Sequence, residues 1–145
     1  MSRGVNGGGT RVLGLDLGAR RIGVALSDET GTLASGLPTL EAVGSRRDLN
    51  TVAALVEKHA AGCVVVGLPL NLDGSSGPQA AKALSFVEGL RRRVRVPVVT
   101  WDERLTTVAA HEAMIEAGVR RERRKRLVDQ VAAVLILQGY LDARS

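Results

Sequence analysis

Four acidic residues stand where carboxylates are either costly or poised to meet. Asp16 follows the apolar run Val12-Leu13-Gly14-Leu15 and precedes Leu17. An acid embedded in such a run is expensive unless something compensates it. Asp102 and Glu103 come directly after an apolar segment ending at Trp101. Neighbours on an extended chain point in opposite directions, so one of the pair can face a site while the other caps or pairs locally. Asp129 sits among Leu127, Val128, Val131, Val134, Leu135, Ile136, Leu137 and Leu141, a pattern apolar nearly all round and therefore that of a buried helix. Ala132, Ala133 and Ile136 follow it at i+3, i+4 and i+7, so helical spacing puts them on its face.

Acids from three distant parts of the chain, if brought together, repel one another unless a cation holds them. Oxygen donors select hard cations, Mg²⁺ or Mn²⁺. Zinc is disfavoured, because the chain has two histidines and one cysteine. His59 and His111 both fall in predicted helices and read as structural residues. Cys63 opens the apolar run Cys63-Val64-Val65-Val66 and reads as a buried thiol, not a nucleophile. Each acid also has a plainer reading. Asp16 suits a turn at a strand end. Asp102 suits a helix N-cap, with Glu103 in the first turn. Asp129 suits an ion pair with Lys125 or Arg126.

The charge balance points to a polyanion. The formal net charge is +5 over 145 residues, and most of the excess is arginine, which contacts phosphate in a planar fork. Arg120, Arg121, Arg123, Arg124, Lys125 and Arg126 lie just before Asp129, and Arg20, Arg21 and Arg104 lie near the other acids. All are candidate phosphate contacts. Arg91, Arg92, Arg93 and Arg95 form a further patch, equally readable as a solvated helix end. Aromatic residues are only 2% of the chain, so recognition of shape or duplex fits better than stacking on unpaired bases.

These residues need a frame. Residues 1–10, with Gly7-Gly8-Gly9, read as a flexible tail, and residues 11–145 as one domain. Val12–Leu17, Ile22–Ser27 and Leu33–Leu37 read as three strands joined by short turns, an antiparallel meander. Leu49, Val52, Ala53, Val56 and Ala60 recur at helical spacing, and Gly62 is the expected stop. Cys63–Val66 reads as a central strand broken by Gly67-Leu68-Pro69, with a polar loop from Asn71 to Pro78. A helix is expected over Pro78–Arg93, and a fifth strand over Val96–Trp101. Pro97 makes that strand non-central. Two more helices fit, over Thr106–Ala117 and about Lys125–Ala143. The sum is an α/β fold, a mixed five-stranded sheet of three antiparallel strands and then two parallel ones, flanked by helices. Sites in such sheets sit at strand ends, where Asp16, Gly67 and Asp102-Glu103 all fall. With no signal peptide or membrane-length apolar run in view, the chain is expected to be cytoplasmic.

Four segments carry a resemblance. Gly14-Leu15-Asp16-Leu17-Gly18 with Arg21-Ile22-Gly23-Val24-Ala25 is similar to the opening motif of the YqgF/RuvX family. Val65-Val66-Gly67-Leu68-Pro69-Leu70-Asn71 with Gly74-Ser75 resembles the second motif of that family. Asp102-Glu103-Arg104-Leu105-Thr106-Thr107 resembles its third. Val128-Asp129-Gln130, with Ala132-Ala133 and Ile136-Leu137, resembles its fourth. The resemblance implies a ribonuclease H-like fold and metal-aided phosphodiester hydrolysis. It implies either maturation of the pre-16S rRNA 5′ end or resolution of Holliday junctions. It makes Asp16, Asp129 and an acid of the Asp102-Glu103 pair, preferably Glu103, the catalytic, metal-binding carboxylates. Two ions about 4 Å apart would straddle the phosphate, with Asp16 bridging them. The implied partner is structured RNA or branched DNA, and a resolvase would need two sites, hence a homodimer. Two other readings compete: a nucleic-acid or ribosome-assembly binding module without catalysis, and an actin-like phosphotransferase, whose first phosphate motif also carries Asp-x-Gly.

Overall fold

The structure is a computed structural model that describes residues 11–71, 73–104 and 121–144, apart from the side chains of 121–129. The expected tail over 1–10, the helix over Thr106–Ala117, His111 and Arg120 lie outside the described residues.

Strands β1 (Val12–Leu17), β2 (Arg21–Ser27) and β3 (Ala34–Glu41) form the antiparallel meander. Helix α1 (Ser45–Lys58) leads to β4 (Cys63–Leu68), and α2 (Pro78–Arg91) to β5 (Val98–Asp102). Helix α3 (Arg121–Arg144) closes the chain. The sheet order is β3-β2-β1-β4-β5. β1 pairs antiparallel with β2 and parallel with β4, and β4 pairs parallel with β5. This is the expected mixed sheet, with β4 inside and β5 at an edge.

Alternation along the strands divides the core in two. Leu13, Leu15, Val64, Val66 and Val98 face α1 and α2, packing with Leu49, Val52, Val87 and Leu90. Val12, Ala25 and Val65 face the other way, onto Ala133, Ile136, Leu137 and Leu141 of α3. Gly14 permits that second contact. A Cβ there would stand 2.8 Å from the Leu137 Cβ, so the helix lies almost on the backbone of β1.

Of the boundaries that differ from expectation, three do so for clear local reasons. β3 runs past Leu37 to Glu41, because a register shift between Ile22 and Val24 absorbs Pro38, which has no N–H to give. α1 ends in a Schellman turn, not at Gly62. The Ala61 N–H donates to the Val56 carbonyl and the Ala60 N–H to the Glu57 carbonyl, with Ala60 itself at φ 51°. β4 continues through Gly67 to Leu68, so Gly67 lies inside the strand and does not break it. Among the described residues, no helix is long and apolar enough to cross a membrane.

Candidate active site

Asp16 has the same parity on β1 as Val12 and Gly14, so its half-buried side chain stands on the α3 face of the sheet. Across the sheet, Leu15 is in register with Val66 and Gly67 with Trp101. One step beyond Leu15 and Val66, Asp16 and Gly67 therefore stand side by side on neighbouring strands, which lie roughly 4.8 Å apart.

Gly67 is where the second acid enters. A Cβ on Gly67 would be 2.8 Å from both Cγ and Oε2 of Glu103, and 2.6 Å from Cδ1 of Ile136. The Glu103 side chain thus lies in the space that a larger residue would fill, on the α3 face. It is only 8% exposed. Its backbone is fixed as well, since the Glu103 N–H donates to the Leu68 carbonyl at 3.0 Å.

Asp102 is turned elsewhere. Its Oδ1 accepts the Arg104 backbone N–H at 2.9 Å, and its two oxygens accept from Arg104 Nε at 3.1 and 2.8 Å. Arg104 Nη2 lies 2.7 Å from Oδ2. These bonds from Arg104 hold the Asp102 carboxyl below its ordinary range. The two acids of the pair thus separate as alternation predicts, Glu103 inward over Gly67 and Asp102 outward onto Arg104. Arg104, expected on substrate phosphate, has its guanidinium on Asp102.

The connection after β4 lies against this turn. In it, the Asn71 N–H donates to the Ser75 carbonyl and the Gly74 N–H to the Asn71 carbonyl. The hydroxyl and N–H of Ser75 both donate to Asp73 and keep its carboxyl low, with the Arg104 charge adding in the same direction. A Cβ on Gly74 would be 3.5 Å from Arg104 Nη1.

Asp129 falls in α3, three and four residues before the buried Ala132 and Ala133. Its side chain, and those of Arg121, Arg123, Arg124, Lys125 and Arg126, lie outside the described residues. The next residue, Gln130, donates from Nε2 to the Leu37 carbonyl at 2.7 Å and pins this part of the helix to the edge strand. Arg20 and Arg21 sit at the β1–β2 turn, the same end of the sheet as Asp16. Arg21 lies 3.9 Å from Glu41. Half of the Arg91–Arg95 patch is structural: Arg91 donates twice to the Val98 carbonyl, and Arg93 bridges Asn50 and the Gly89 carbonyl. Cys63 is half-buried beside the Tyr140 hydroxyl at 3.9 Å, and burial pushes its thiol up, away from nucleophile chemistry.

Among the described residues, no group of three or more His, Cys, Asp or Glu assembles into a metal-holding cluster. The third acid of the expected trio is the one whose side chain is not described. The two that are described offer hard oxygen donors on one face. One of them sits in a cradle that a methyl group would fill, and the pair suits Mg²⁺ or Mn²⁺. Both acids stand out in the sequence, whereas the role of Gly67 does not. Its signal was a lone glycine at the end of Val64-Val65-Val66, which marks close approach of another group.

A family model described as RuvX, Holliday junction resolvase, matches residues 10–143. The chain belongs to the RuvX family. Two RuvX relatives provisionally named pre-16S rRNA nuclease match over nearly their whole length. One, from Thermoanaerobacter pseudethanolicus, is 44% identical over 135 residues, covering 92% of this chain and 97% of the relative. The other, from Clostridium kluyveri, is 48% identical over 132 residues, covering 91% and 96%. Among solved structures, Thermus thermophilus RuvC in complex with a Holliday junction superposes with a TM-score of 0.61 at 18% identity, over 93% of this chain and 96% of that one. Fowlpox virus resolvase with Holliday junction DNA gives 0.60 at 10% identity, over 93% and 99%. These two likenesses establish that the RuvX chain has the RuvC-like, ribonuclease H-type fold.

Proposed function

We propose that this RuvX protein is a divalent-metal-dependent nuclease acting on structured precursor 16S rRNA. Asp16, Glu103 and Asp129 hold the metal in this reading. The observation that carries it is the buried Glu103 carboxylate seated in the Gly67 gap, on the same sheet face as Asp16. Burying a carboxylate is costly unless it is paired or coordinates a metal, and Glu103 is buried in a space kept clear by a glycine.

Mg²⁺ or Mn²⁺ at these oxygens supplies the positive charge that in-line displacement at phosphorus requires. The chain contributes the rest. Asp16 and Glu103 orient donors from the ends of β1 and β5, the strands on either side of β4 and its Gly67. Gly67, having no side chain, leaves the space in which Glu103 lies, and Ile136 borders the same space. The basic residues Arg20, Arg21, Arg120, Arg121, Arg123, Arg124, Lys125 and Arg126 hold the substrate backbone without reading its sequence.

RNA is favoured over a DNA junction because the relatives at 44% and 48% identity carry the rRNA name. The resolvase complexes share 18% and 10% identity and support the fold alone. The test is a side-by-side cleavage assay on a precursor rRNA 5′ end and a four-way DNA junction, with Mg²⁺, Mn²⁺ or chelator. Metal-dependent RNA cleavage that disappears in Asp16→Asn is expected, with substrate binding retained and weakening steeply as salt rises. Full activity in Asp16→Asn, or in chelator, overturns the reading. Junction cleavage alone moves the substrate to DNA.

A further inference from the structure

We propose that Asp102 is a positioning residue that sets the direction of Glu103 by clamping Arg104, and does not itself bind metal. This deepens the nuclease reading above and rests on Glu103 being a ligand. Glu103 lies between the two partners of the clamp, so the chain on both sides of it is held. On one side, Asp102 is in register with Leu68 at the end of the β4–β5 ladder. On the other, the Arg104 N–H donates to Asp102 Oδ1, closing an Asx turn around Glu103. The guanidinium then takes both carboxylate oxygens through Nε and Nη2.

The arrangement occupies Asp102 completely in one direction. Its oxygens are spent on four donor contacts, all from Arg104, whereas Glu103 projects to the opposite side over Gly67. Arg104 also reaches the loop after β4, where its Nη1 comes within contact distance of the Cβ position of Gly74 and Asp73 feels its charge. One guanidinium therefore spans the end of β5, from which Glu103 departs, and the loop after β4, the strand that carries the Gly67 seat. As an exposed ion pair it adds little to global stability. Its effect is geometric: it fixes the backbone from which Glu103 departs. Arginine suits this better than lysine, because the planar fork engages both carboxylate oxygens while the backbone N–H engages one.

The experiment measures two quantities on the full chain: Mn²⁺ binding by titration calorimetry without substrate, and cleavage against Mn²⁺ concentration. Thermal melts confirm folding of each variant. Asp102→Ala is expected to weaken Mn²⁺ binding about ten-fold, within the range for residues that orient a ligand, and to regain most of its cleavage at saturating Mn²⁺. Asp102→Asn keeps the Oδ1 that closes the turn and should fall only about three-fold, a smaller loss than removing a charged ligand from the metal would cause. Arg104→Lys should resemble Asp102→Ala more than Asp102→Asn. If Asp102→Asn loses as much as Asp102→Ala and excess Mn²⁺ restores neither, Asp102 is a ligand and the proposal fails. Wild-type binding in Asp102→Ala also overturns it. Glu103→Gln separates the two readings: if it binds Mn²⁺ as well as wild type, the ligand assignment itself has failed.

Discussion

Replacing Gly67 by alanine adds one methyl group, and the structure says where the cost falls. The new Cβ would stand 2.6 Å from Ile136 Cδ1 and 2.8 Å from Glu103 Cγ and Oε2. Carbon contacts are comfortable only at about 3.5 Å or more, so each neighbour must withdraw by more than roughly half an ångström. Neither neighbour has open space to move into: Ile136 is fully buried, and Glu103 is 8% exposed with its backbone tied to Leu68. Overpacking of this kind costs about 1–3 kcal/mol, partly offset by about 0.4–1 kcal/mol because alanine loses less chain entropy than glycine. The net loss of stability should be about 1 kcal/mol, visible as a small fall in denaturation midpoint. The functional loss should be far larger. A displacement approaching 1 Å at a reacting group costs on the order of 100-fold, so kcat/KM should fall about 10- to 100-fold. Gly89→Ala is the matched control. Its Cβ would meet Leu49 Cδ1 at 2.7 Å in the α1–α2 layer, across the sheet from Glu103. It should leave cleavage intact. A Gly67→Ala enzyme with wild-type kcat/KM would refute the claim that the gap seats Glu103. Equal activity losses in both variants would refute it too.

Four further outcomes follow from local geometry. Ala60→Gly should stabilise the fold by about 0.5–1 kcal/mol in chemical denaturation, because Ala60 holds φ 51° at the Schellman position where glycine carries no Cβ strain. Asp48→Ala should destabilise by about 1–3 kcal/mol, since the buried Asp48 carboxylate accepts the Val43 and Gly44 N–H groups ahead of α1. The Asp28 carboxyl, held low by the Thr30 hydroxyl and the Leu33 and Thr32 N–H groups, should titrate at about 2 by NMR. Its contribution to the β2–β3 turn is therefore complete above the ordinary carboxylate value and is lost as pH falls through 2; titration near 4 would contradict the turn geometry. Gln138→Ala should raise amide exchange in β3, because Gln138 accepts the Ala34 N–H and donates to the Thr32 carbonyl.

The sheet was legible because its signals are local. Period-two apolar runs, short turns and a switch to helical spacing determine strand order when connections are short. The misplaced boundaries arose where tertiary contacts overruled local signs. Gly67 reads as a breaker in isolation, yet its pairing with Trp101 of β5 keeps it in the strand. Gly62 reads as a helix stop, yet the turn closes two residues earlier on Ala60, leaving the Gly62 N–H free to donate to the Arg11 carbonyl.

The division of labour within Asp102-Glu103 shows where sequence reading runs out. Adjacent residues on a strand face opposite ways, so one inward acid and one outward acid follow from the sequence alone. Which is which depends on the phase of β5 relative to α3, and that phase is a property of packing. Val99 and Trp101 lie on the α3 side, and Trp101 meets Gly139 there at 3.2 Å from the added Cβ position. Strict alternation would then send Glu103 inward with Trp101 and Asp102 outward, and the structure follows it. The apolar residues that precede the pair thus set the phase, and the glycine on the neighbouring strand gives the inward acid a place to lie. An acid at a strand end becomes a candidate ligand when its parity faces the last helix and the adjoining strand offers no side chain. Asp16 has the same parity on β1 and lies beside the same glycine.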